Sequence, residues 1–297
     1  MTICVILETA AYALRPRALV NRAIALFVVL ITTQSLFAQD YGSKFRKEYE
    51  KEENGPHGEC RSDWTTLQPG LEYRAIHCLG DEDDLDLHVV RIDLDRWDLD
   101  TAVVDRATGR MIARSQDASF DINANFFDKA RSPIGAVIRD GDVVKAPHDS
   151  SWQSIFLIDD GGTPRIVMPS KWSSYRDGSQ MAVQAGPRLV IAGHTNKSLR
   201  NNYSAARGGV CIRNNGDLVF FATPQNRKFQ ITEIARVARR NEIDGGLGCR
   251  DAMLFDGGHS VNFYAEGDDR TISVEGDPVP VHILATPHSD SDGSQTK

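Results

Sequence analysis

The feature that most constrains the fold is a series of short strand-like segments joined by tight-turn sequences. GAVIRDGDVVKAP (135–147) and VCIRNNGDLVFFATP (210–224) each place Asp-Gly or Asn-Gly between two apolar runs. These residue pairs tolerate the positive φ that two-residue hairpin turns need. QSIFLIDDGGTPRIVM (153–168) repeats the scheme, while LDLHVVRIDL (85–94) and WDLDTAVV (97–104) alternate with period two. The pattern predicts a fold rich in hairpins.

Helical patterns are few. TEIARVARRNEI (232–243) is the clearest, with Thr232 placed to cap it and Glu233 suited to its first turn. Four residues form its apolar face, namely Ile234, Ala235, Val237 and Ala238. A second, shorter helix is expected over residues 111–118. Many hairpins with few helices predict an α+β domain with a mixed, largely antiparallel sheet that is covered on one face.

The ends of the chain do not read as part of that domain. Residues 1–38 predict a signal peptide, because arginines precede the apolar run AIALFVVLITT and a small residue precedes a charged segment. The alternative is an uncleaved anchor, although the run is shorter than the ~20 residues of a spanning helix. Residues 39–58 are expected to be a charged linker and residues 288–297 a disordered tail. The folded domain would then span 59–287, in an exported protein that is periplasmic or secreted without stable membrane insertion.

Charge and cysteine content narrow the function. The formal net charge is −7 and no basic stripe occurs, which argues against a nucleic-acid partner. The sequence contains no CxxC motif, so neither zinc binding nor thioredoxin-like chemistry is indicated. Loss of residues 1–38 leaves Cys60, Cys78, Cys211 and Cys249. We expect disulfides Cys60–Cys78 and Cys211–Cys249, since each pair is the nearer in sequence; buried free thiols are the alternative.

Polar residues follow several of the predicted strands. In INANFFD, Asn123 and Asn125 lie two apart and would share one face of an extended segment, with Phe127 beyond them. Two amides and an aromatic floor suit a sugar or phosphate ligand. An Asx turn that leaves a strand is the alternative. In VQAGPRLV, Gln184 and Gly186 precede a bend that is either a ligand-facing turn or a bulge.

An arginine and a glycine-rich turn complete the candidate site. Arg207 lies between small residues and offers a bidentate anchor for phosphate or carboxylate, unless it is an ordinary surface arginine. In LFDGGHS, Asp256 follows an apolar run typical of a buried strand. The turn that follows holds four residues suited to a ligand site, namely Gly257, Gly258, His259 and Ser260. A Ser-His-Asp triad is not predicted, because no GxSxG elbow is present.

Taken in order, these motifs resemble the phosphodiester glycosidase domain family of the lysosomal uncovering enzyme and its bacterial relatives. INANFFD, SPIGAVIRDGDVV, AVQAGPRLV, the arginine before GVCI, and LGCRDAMLFDGGHS carry the resemblance, which spans about Trp64 to Gly267. It implies a strand-rich α+β fold and cleavage between an anomeric carbon and a phosphate oxygen. It also implies that Arg207 holds the phosphate, that Asp256 serves the anomeric carbon, and that the asparagines bind polar substrate groups.

Two departures from the family bear on the chemistry. His259 stands where the family turn usually has a small residue, so it either fills part of the pocket or adds an acid. The partner of Asp256 is also not identified by a motif. Asp128 and Glu266 are candidates, and the separation of the two carboxylates would decide between retention and inversion.

The leading hypothesis is an exported hydrolase, a phosphodiester glycosidase, that cleaves a sugar-1-phosphodiester in an envelope glycan or glycoconjugate. Its partner would be a carbohydrate or sugar-phosphate substrate, and no cofactor is expected. A non-catalytic envelope module that binds glycan is the second hypothesis, and the departure at His259 supports it. A metal-assisted phosphodiesterase with Asp256 and Asp128 as oxygen ligands is the third, although scattered carboxylates are weak evidence for a metal.

Overall fold

The computed structural model of the protein describes residues 63–78 and 85–288. These described residues all belong to one compact unit. The signal peptide and the linker lie outside the described residues, as does the predicted tail apart from His288. Cys60 is outside them too, so the predicted Cys60–Cys78 bond stays a prediction.

Strands dominate the described chain. In chain order they are β1 (Thr65–Gln68), β2 (Leu71–Cys78), β3 (Leu85–Ile92), β4 (Trp97–Ala107), β5 (Phe120–Asn123), β6 (Val137–Arg139), β7 (Asp142–Lys145), β8 (Ser154–Asp159), β9 (Pro164–Val167), β10 (Ser179–Ala185), β11 (Arg188–Ile191), β12 (His194–Thr195), β13 (Gly208–Arg213), β14 (Leu218–Ala222), β15 (Cys249–Leu254), β16 (Phe263–Glu266), β17 (Thr271–Val274) and β18 (Val279–Pro287). The helices of the described residues are α1 (Gly109–Ser115) and α2 (Ile231–Arg239), with 3-10 turns at Pro169–Ser174, Arg176–Gly178, Glu242–Asp244 and Gly258–Ser260.

The strands form three sheets. The largest has the order β1-β2-β3-β14-β13-β15-β11-β12, and the other two are β7-β6-β10-β8-β9 and β17-β16-β5-β18-β4. All strand pairings among the described residues are antiparallel. The predicted wealth of antiparallel hairpins is therefore confirmed. The α+β label describes the fold only roughly, since the described chain is largely β and uses three sheets.

The predicted hairpins form where the turn residues allow positive φ. Asp140 and Gly141 have φ of 50° and 80° between β6 and β7. Gly216 has a φ of 94° between β13 and β14, and Gly162 one of 73° between β8 and β9. Because each turn reverses the chain within a few residues, the flanking apolar runs become neighbouring strands.

Both predicted helices are present, with shifted ends. The helix predicted over 232–243 is α2, and its four predicted apolar residues are all buried. Thr232 does not cap it: α2 begins one residue earlier, and the Glu233 carboxylate accepts a hydrogen bond from the backbone N–H of Gln230 (2.6 Å). The helix expected over 111–118 is α1, which ends at Ser115, before Asp117 takes a left-handed φ of 50°. No helix within residues 63–78 and 85–288 is long and apolar enough to cross a membrane.

Two apolar layers hold the eight-stranded sheet. On one face, α2 packs against β11, β12 and β15. On the other, the three sheets meet in a core rich in phenylalanine, where the ring of Phe220 lies 5.0 Å from that of Phe120 and 5.9 Å from that of Phe156. Such aromatic pairs contribute about 0.5–1.5 kcal/mol each beyond the burial of their area. The predicted Cys211–Cys249 disulfide is confirmed and joins the neighbouring strands β13 and β15.

Candidate active site

The end of β15 lies between the starts of two neighbouring strands. β15 pairs with β13 on one side and with β11 on the other, antiparallel in both cases. Neighbouring strands lie about 4.8 Å apart, so the residues just before β13 and just before β11 flank the turn that follows β15. Asp256 occupies that turn, with Arg207 on the β13 side and the Gly186–Pro187 bend on the β11 side.

A strand of another sheet holds the backbone of Asp256 in place. Its N–H donates to the carbonyl of Ala124 (2.9 Å), and its carbonyl accepts from the Nδ2 of Asn123 (2.8 Å). The Oδ1 of Asn123 accepts from the backbone N–H of Asn262 (3.0 Å). Asn123 is 1% exposed, so its amide links β5 to the turn. Its predicted contact with substrate stays a prediction.

Asn262 is a residue that the sequence reasoning missed. It is fully buried, and its Nδ2 donates to the carbonyls of Ser260 (3.1 Å) and Asp277 (2.9 Å). Its Oδ1 accepts from the backbone N–H of Gly109 (3.1 Å). A buried amide with several partners rigidifies the chain around it. The available signal was an asparagine inside the apolar run VNFYA, where an unpaired amide would be costly.

The carboxylate of Asp256 is largely shielded from solvent. Burial raises the pKa of Asp256 to about 6, and hydrogen bonds from the Ser260 hydroxyl and the Gly257 N–H partly oppose that rise. Near neutral pH the group is therefore mostly ionised but readily protonated. A carboxylate tuned to this range suits a nucleophile or general base.

The two glycines after Asp256 let the turn pack against Arg207. A Cβ on Gly257 would lie 3.0 Å from the carbonyl oxygen of Ala206 and 3.6 Å from the Nη1 of Arg207. Gly258 has a φ of 65°, and its N–H donates to the same Ala206 carbonyl (2.8 Å). A side chain at Gly257 would therefore press against the Ala206 carbonyl, while the guanidinium lies at an ordinary contact distance, which explains why glycine suits this position.

Arg207 is a buried cation without a carboxylate partner among the described residues. It is 4% exposed, and burial lowers the pKa of its guanidinium. Its Nε donates to the carbonyl of Phe229 (3.1 Å) and its Nη2 to that of Tyr203 (2.9 Å), whose ring lies 5.1 Å from the guanidinium carbon. The Tyr203 side chain partly opposes the fall in the Arg207 pKa, and no carboxylate of the described chain pairs with the guanidinium, whose Nη1 lies beside Gly257. A buried charge normally requires a counter-charge, so this geometry is suited to an anionic ligand.

Gln184 and Asn125 serve the neighbouring loop. Gln184 is fully buried, and its Oε1 accepts from the N–H groups of Ala136 (2.9 Å) and His148 (3.0 Å). Its Nε2 donates to the His148 carbonyl (2.7 Å) and to the Oε1 of Gln153 (3.0 Å). Asn125 is buried and donates to the Ala136 carbonyl (3.1 Å), while its Oδ1 has no partner in the described chain. Both side chains thus anchor the segments that precede β6 and β8.

The rim of the site carries one histidine and several aromatic rings. His259 is exposed, and its ring makes no hydrogen bond within the described residues. Phe127 is partly buried, and the neighbouring Phe126 packs on Trp152 with ring centroids 5.6 Å apart. Sequence reasoning missed Trp152 and Tyr203, which are 53% and 65% exposed. The available signal was an isolated aromatic residue in each of the polar segments HDSSWQS and LRNNYSA.

Neither candidate partner carboxylate, Asp128 or Glu266, has a described contact with Asp256. Asp128 is exposed in the loop after Asn125, where it accepts from the N–H of Ser132 (2.9 Å). Glu266 ends β16, whereas the site lies where β16 begins, about 10 Å away along an extended strand. Within residues 63–78 and 85–288, no group of three or more His, Cys, Asp or Glu side chains is placed to hold a metal ion.

Comparisons with known proteins identify relatives of this chain. A family model described as phosphodiester glycosidase matches residues 116–286, a range that contains Asn123, Arg207 and Asp256. No curated protein matches the sequence significantly.

Two solved structures share the fold. The catalytic domain of zebrafish N-acetylglucosamine-1-phosphodiester alpha-N-acetylglucosaminidase, auto-inhibited by its pro-peptide, is 14% identical, with a TM-score of 0.58 over 75% of this chain and 87% of that chain. A hypothetical protein from Synechocystis is 13% identical, with a TM-score of 0.55 over 76% of this chain. The alignment spans 63% of the Synechocystis chain.

Proposed function

The chain belongs to the phosphodiester glycosidase family and is a hydrolase, and we propose that it cleaves a sugar-1-phosphodiester whose phosphate binds Arg207. The observation that carries this proposal is the buried guanidinium without a carboxylate partner in the described chain, directly beside the turn of Asp256. Its Nη1 lies beside Gly257 in that turn and can donate to a phosphate oxygen. A guanidinium is well matched to phosphate in both charge and geometry.

The reaction needs little help for the leaving group. A phosphodiester departs as a weakly basic phosphate, so its protonation contributes less than in ordinary glycoside hydrolysis. Arg207 instead stabilises the negative charge that grows on the phosphate as the bond to the anomeric carbon breaks. Asp256 acts on the positive, oxocarbenium-like sugar as nucleophile, base or stabilising charge. Burial raises the pKa of Asp256 to about 6, which is still below 7, so the required carboxylate form predominates at pH 7.

The finer parts of the proposal concern substrate and location. The zebrafish relative is named for an N-acetylglucosamine-1-phosphodiester, which makes this sugar the first glycone to test. The signal-peptide pattern and the Cys211–Cys249 disulfide support export, since disulfides persist in oxidising compartments. An envelope glycan or glycoconjugate is therefore the proposed natural substrate.

The test is sugar release from a panel of sugar-1-phosphodiesters by the purified protein. We expect release by the wild-type protein and a loss on the order of 10³-fold in kcat for Asp256→Asn. Asp244→Asn, an exposed aspartate in a distant 3-10 turn, is the matched control and should keep full activity. No release from any member of the panel would overturn the proposal, and binding without release would favour the non-catalytic glycan-binding module.

The folding control follows from the same pKa. The folded-state pKa of Asp256 is raised from 3.8 to about 6, so its stabilising contribution is present below pH 3.8 and is lost as the pH rises through 6. At pH 7 the wild-type protein carries the cost of a buried carboxylate, which Asp256→Asn removes. The variant should therefore unfold at the same or a higher temperature than the wild-type protein, so that a loss of activity reports chemistry.

A further inference from the structure

Trp152 is a large apolar side chain that the fold leaves half open to solvent. It is 53% exposed, in the loop between β7 and β8. One side of its ring packs on Phe126, at a centroid distance of 5.6 Å and an interplanar angle of 57°. Phe126 in turn packs against the main apolar core. The exposed ring is thus supported from behind by the core of the protein.

Buried polar contacts hold this ring in position. The next residue, Gln153, is 3% exposed and bonded to the buried Gln184 (3.0 Å). A Cβ on Gly186 would lie 2.9 Å from the Trp152 carbonyl oxygen and 3.5 Å from its ring carbon Cε3. The backbone at Gly186 therefore packs directly against Trp152. A ring held in this way loses little conformational entropy when a ligand stacks on it.

Two independent chain paths place the ring next to Asp256. Phe126 follows Ala124 by two residues, at most about 7 Å of chain, and the Ala124 carbonyl accepts from the N–H of Asp256 (2.9 Å). Gly186, which contacts Trp152, precedes Pro187, whose carbonyl accepts from the N–H of Leu254 (3.0 Å) at the end of β15. The segments that carry the ring pair therefore lie within a few residues of groups bonded to Asp256 and to the end of β15.

The strand order also decides on which side of Asp256 the ring pair lies. Gly186 precedes β11 and Arg207 precedes β13, and these two strands flank β15 on opposite sides. Trp152 and Arg207 are thus on opposite flanks of Asp256. One flank presents an apolar aromatic surface and the other a buried cation.

This inference rests on the proposed function. We propose that Trp152, supported by Phe126, is the platform on which the sugar ring of the substrate stacks, so that the glycosyl group lies on the β11 side of Asp256 and the phosphate on the β13 side. One face of a pyranose ring presents C–H groups, which pack well on the electron-rich face of an indole. With the two groups bound on opposite flanks, the anomeric carbon lies over Asp256.

The test separates the binding of sugar from the binding of phosphate. The substrate is a sugar-1-phosphodiester that the wild-type protein cleaves. With it, we expect Trp152→Ala to raise KM at least about tenfold and to change kcat less than about threefold, because the variant loses glycone binding. Trp152→Phe should restore most of the affinity, and Ile243→Ala, at a 92% exposed site in a distant 3-10 turn, should change neither constant. The affinity for inorganic phosphate should be the same in Trp152→Ala and in the wild-type protein. An unchanged KM, or an equal loss of phosphate affinity, would overturn the platform.

A binding measurement keeps this inference separate from the proposed function. N-acetylglucosamine 1-phosphate, free N-acetylglucosamine and other monosaccharides are titrated into the wild-type protein and into each variant, and the heat of binding is recorded by isothermal titration calorimetry. A saturable change that is lost in Trp152→Ala and kept in Asp256→Asn supports the platform even if no substrate is cleaved. If no sugar in the series binds in a Trp152-dependent way, the platform is wrong, whatever the hydrolysis assay shows.

Discussion

Strand β13 has a buried arginine at each end, and the two arginines differ in whether they have carboxylate partners. Arg213 is 6% exposed and lies 2.9 Å from a carboxylate oxygen of Glu242 and 3.7 Å from one of Asp217. Arg207, at the other end, is 4% exposed; it donates to backbone carbonyls and contacts the Tyr203 side chain, and it has no carboxylate partner among the described residues. The charge of a buried cation with carboxylates is balanced within the fold, whereas a buried cation without them is suited to an anion from outside.

The Arg213 end belongs to a self-contained cluster. The guanidinium carbons of Arg74, Arg91 and Arg213 lie 4.6–5.4 Å from the ring centroid of Trp64. Glu242 pairs with both Arg74 (3.3 Å) and Arg213 and accepts a hydrogen bond from the Trp64 indole. Positive charge is here balanced by negative charge and covered by an aromatic ring. This arrangement is therefore expected to stabilise the fold.

Among the variants that test this comparison of the two arginines, the largest expected effect is the loss of activity in Arg207→Ala. Removal of the donor that faces the leaving phosphate should lower kcat/KM for a sugar-1-phosphodiester by roughly 10²–10³-fold, the range typical of a lost oxyanion donor. The measurement is steady-state kinetics on the folded protein, with far-UV circular dichroism as the check of folding.

Arg213→Ala is the matched variant at the other end of β13. It should lower the unfolding temperature while the folded protein keeps its kcat/KM. If Arg213→Ala lost as much activity as Arg207→Ala at equal folded fractions, the distinction between the two ends would be wrong.

The next effect is on stability and arises at Glu242. Glu242→Gln leaves Arg74 and Arg213 buried without their shared carboxylate, and breaking a buried pair costs about 3–5 kcal/mol. Because Glu242 is 36% exposed, we expect a smaller decrease in the free energy of unfolding, about 2 kcal/mol, as measured by urea-induced unfolding.

Glu275→Gln removes the surface pair with Arg110 and serves as the control. Both side chains of that pair are more than two-fifths exposed, so the cost should stay below about 1 kcal/mol. Equal losses in the two variants would show that the cluster around Trp64 has no special role in stability.

The smallest effect is a shift in the pH dependence of Ser260→Ala. The wild-type kcat/KM should fall as the pH drops through about 6, because protonation removes the Asp256 carboxylate. The Ser260 hydroxyl donates to that carboxylate and lowers its pKa, so its loss should move the acidic limb to higher pH. Ser273→Ala, on the distant strand β17, should leave the limb in place. A limb that stays put in Ser260→Ala would exclude Asp256 as the group that titrates.

Local patterns were sufficient to predict much of the fold. The turn at Asp140 and Gly141 and the apolar face of α2 depend on neighbours along the chain, and the structure has both. The start of α2 was predicted one residue late. Its N-cap residue is Gln230, whose backbone N–H donates a hydrogen bond to the Glu233 carboxylate. Division into three sheets depends on long-range pairing that no short pattern encodes.

The residues of the candidate site also divide into those that local sequence predicted and those that it did not. Asp256 and Arg207 were recognisable from the turn and the small residues beside them, and the strand pairing of β13 with β15 brings them together. Asn262 and Trp152 were missed, since their roles depend on partners far away in sequence. Asn262 is bonded to Gly109, and Trp152 packs on Phe126 and against Gly186. Neither contact leaves a periodic trace in the sequence.

The claim that Arg207 awaits an external anion is tested most directly by thermal unfolding with N-acetylglucosamine 1-phosphate and with inorganic phosphate. At about 100 times the dissociation constant, a ligand of the folded state adds about 2.7 kcal/mol of stability, or roughly 5 °C or more in Tm for a domain of this size. We predict that rise for the wild-type protein and for Arg213→Ala, and none for Arg207→Ala. An equal rise in Arg207→Ala, or no rise in the wild-type protein with either ligand, would contradict the claim.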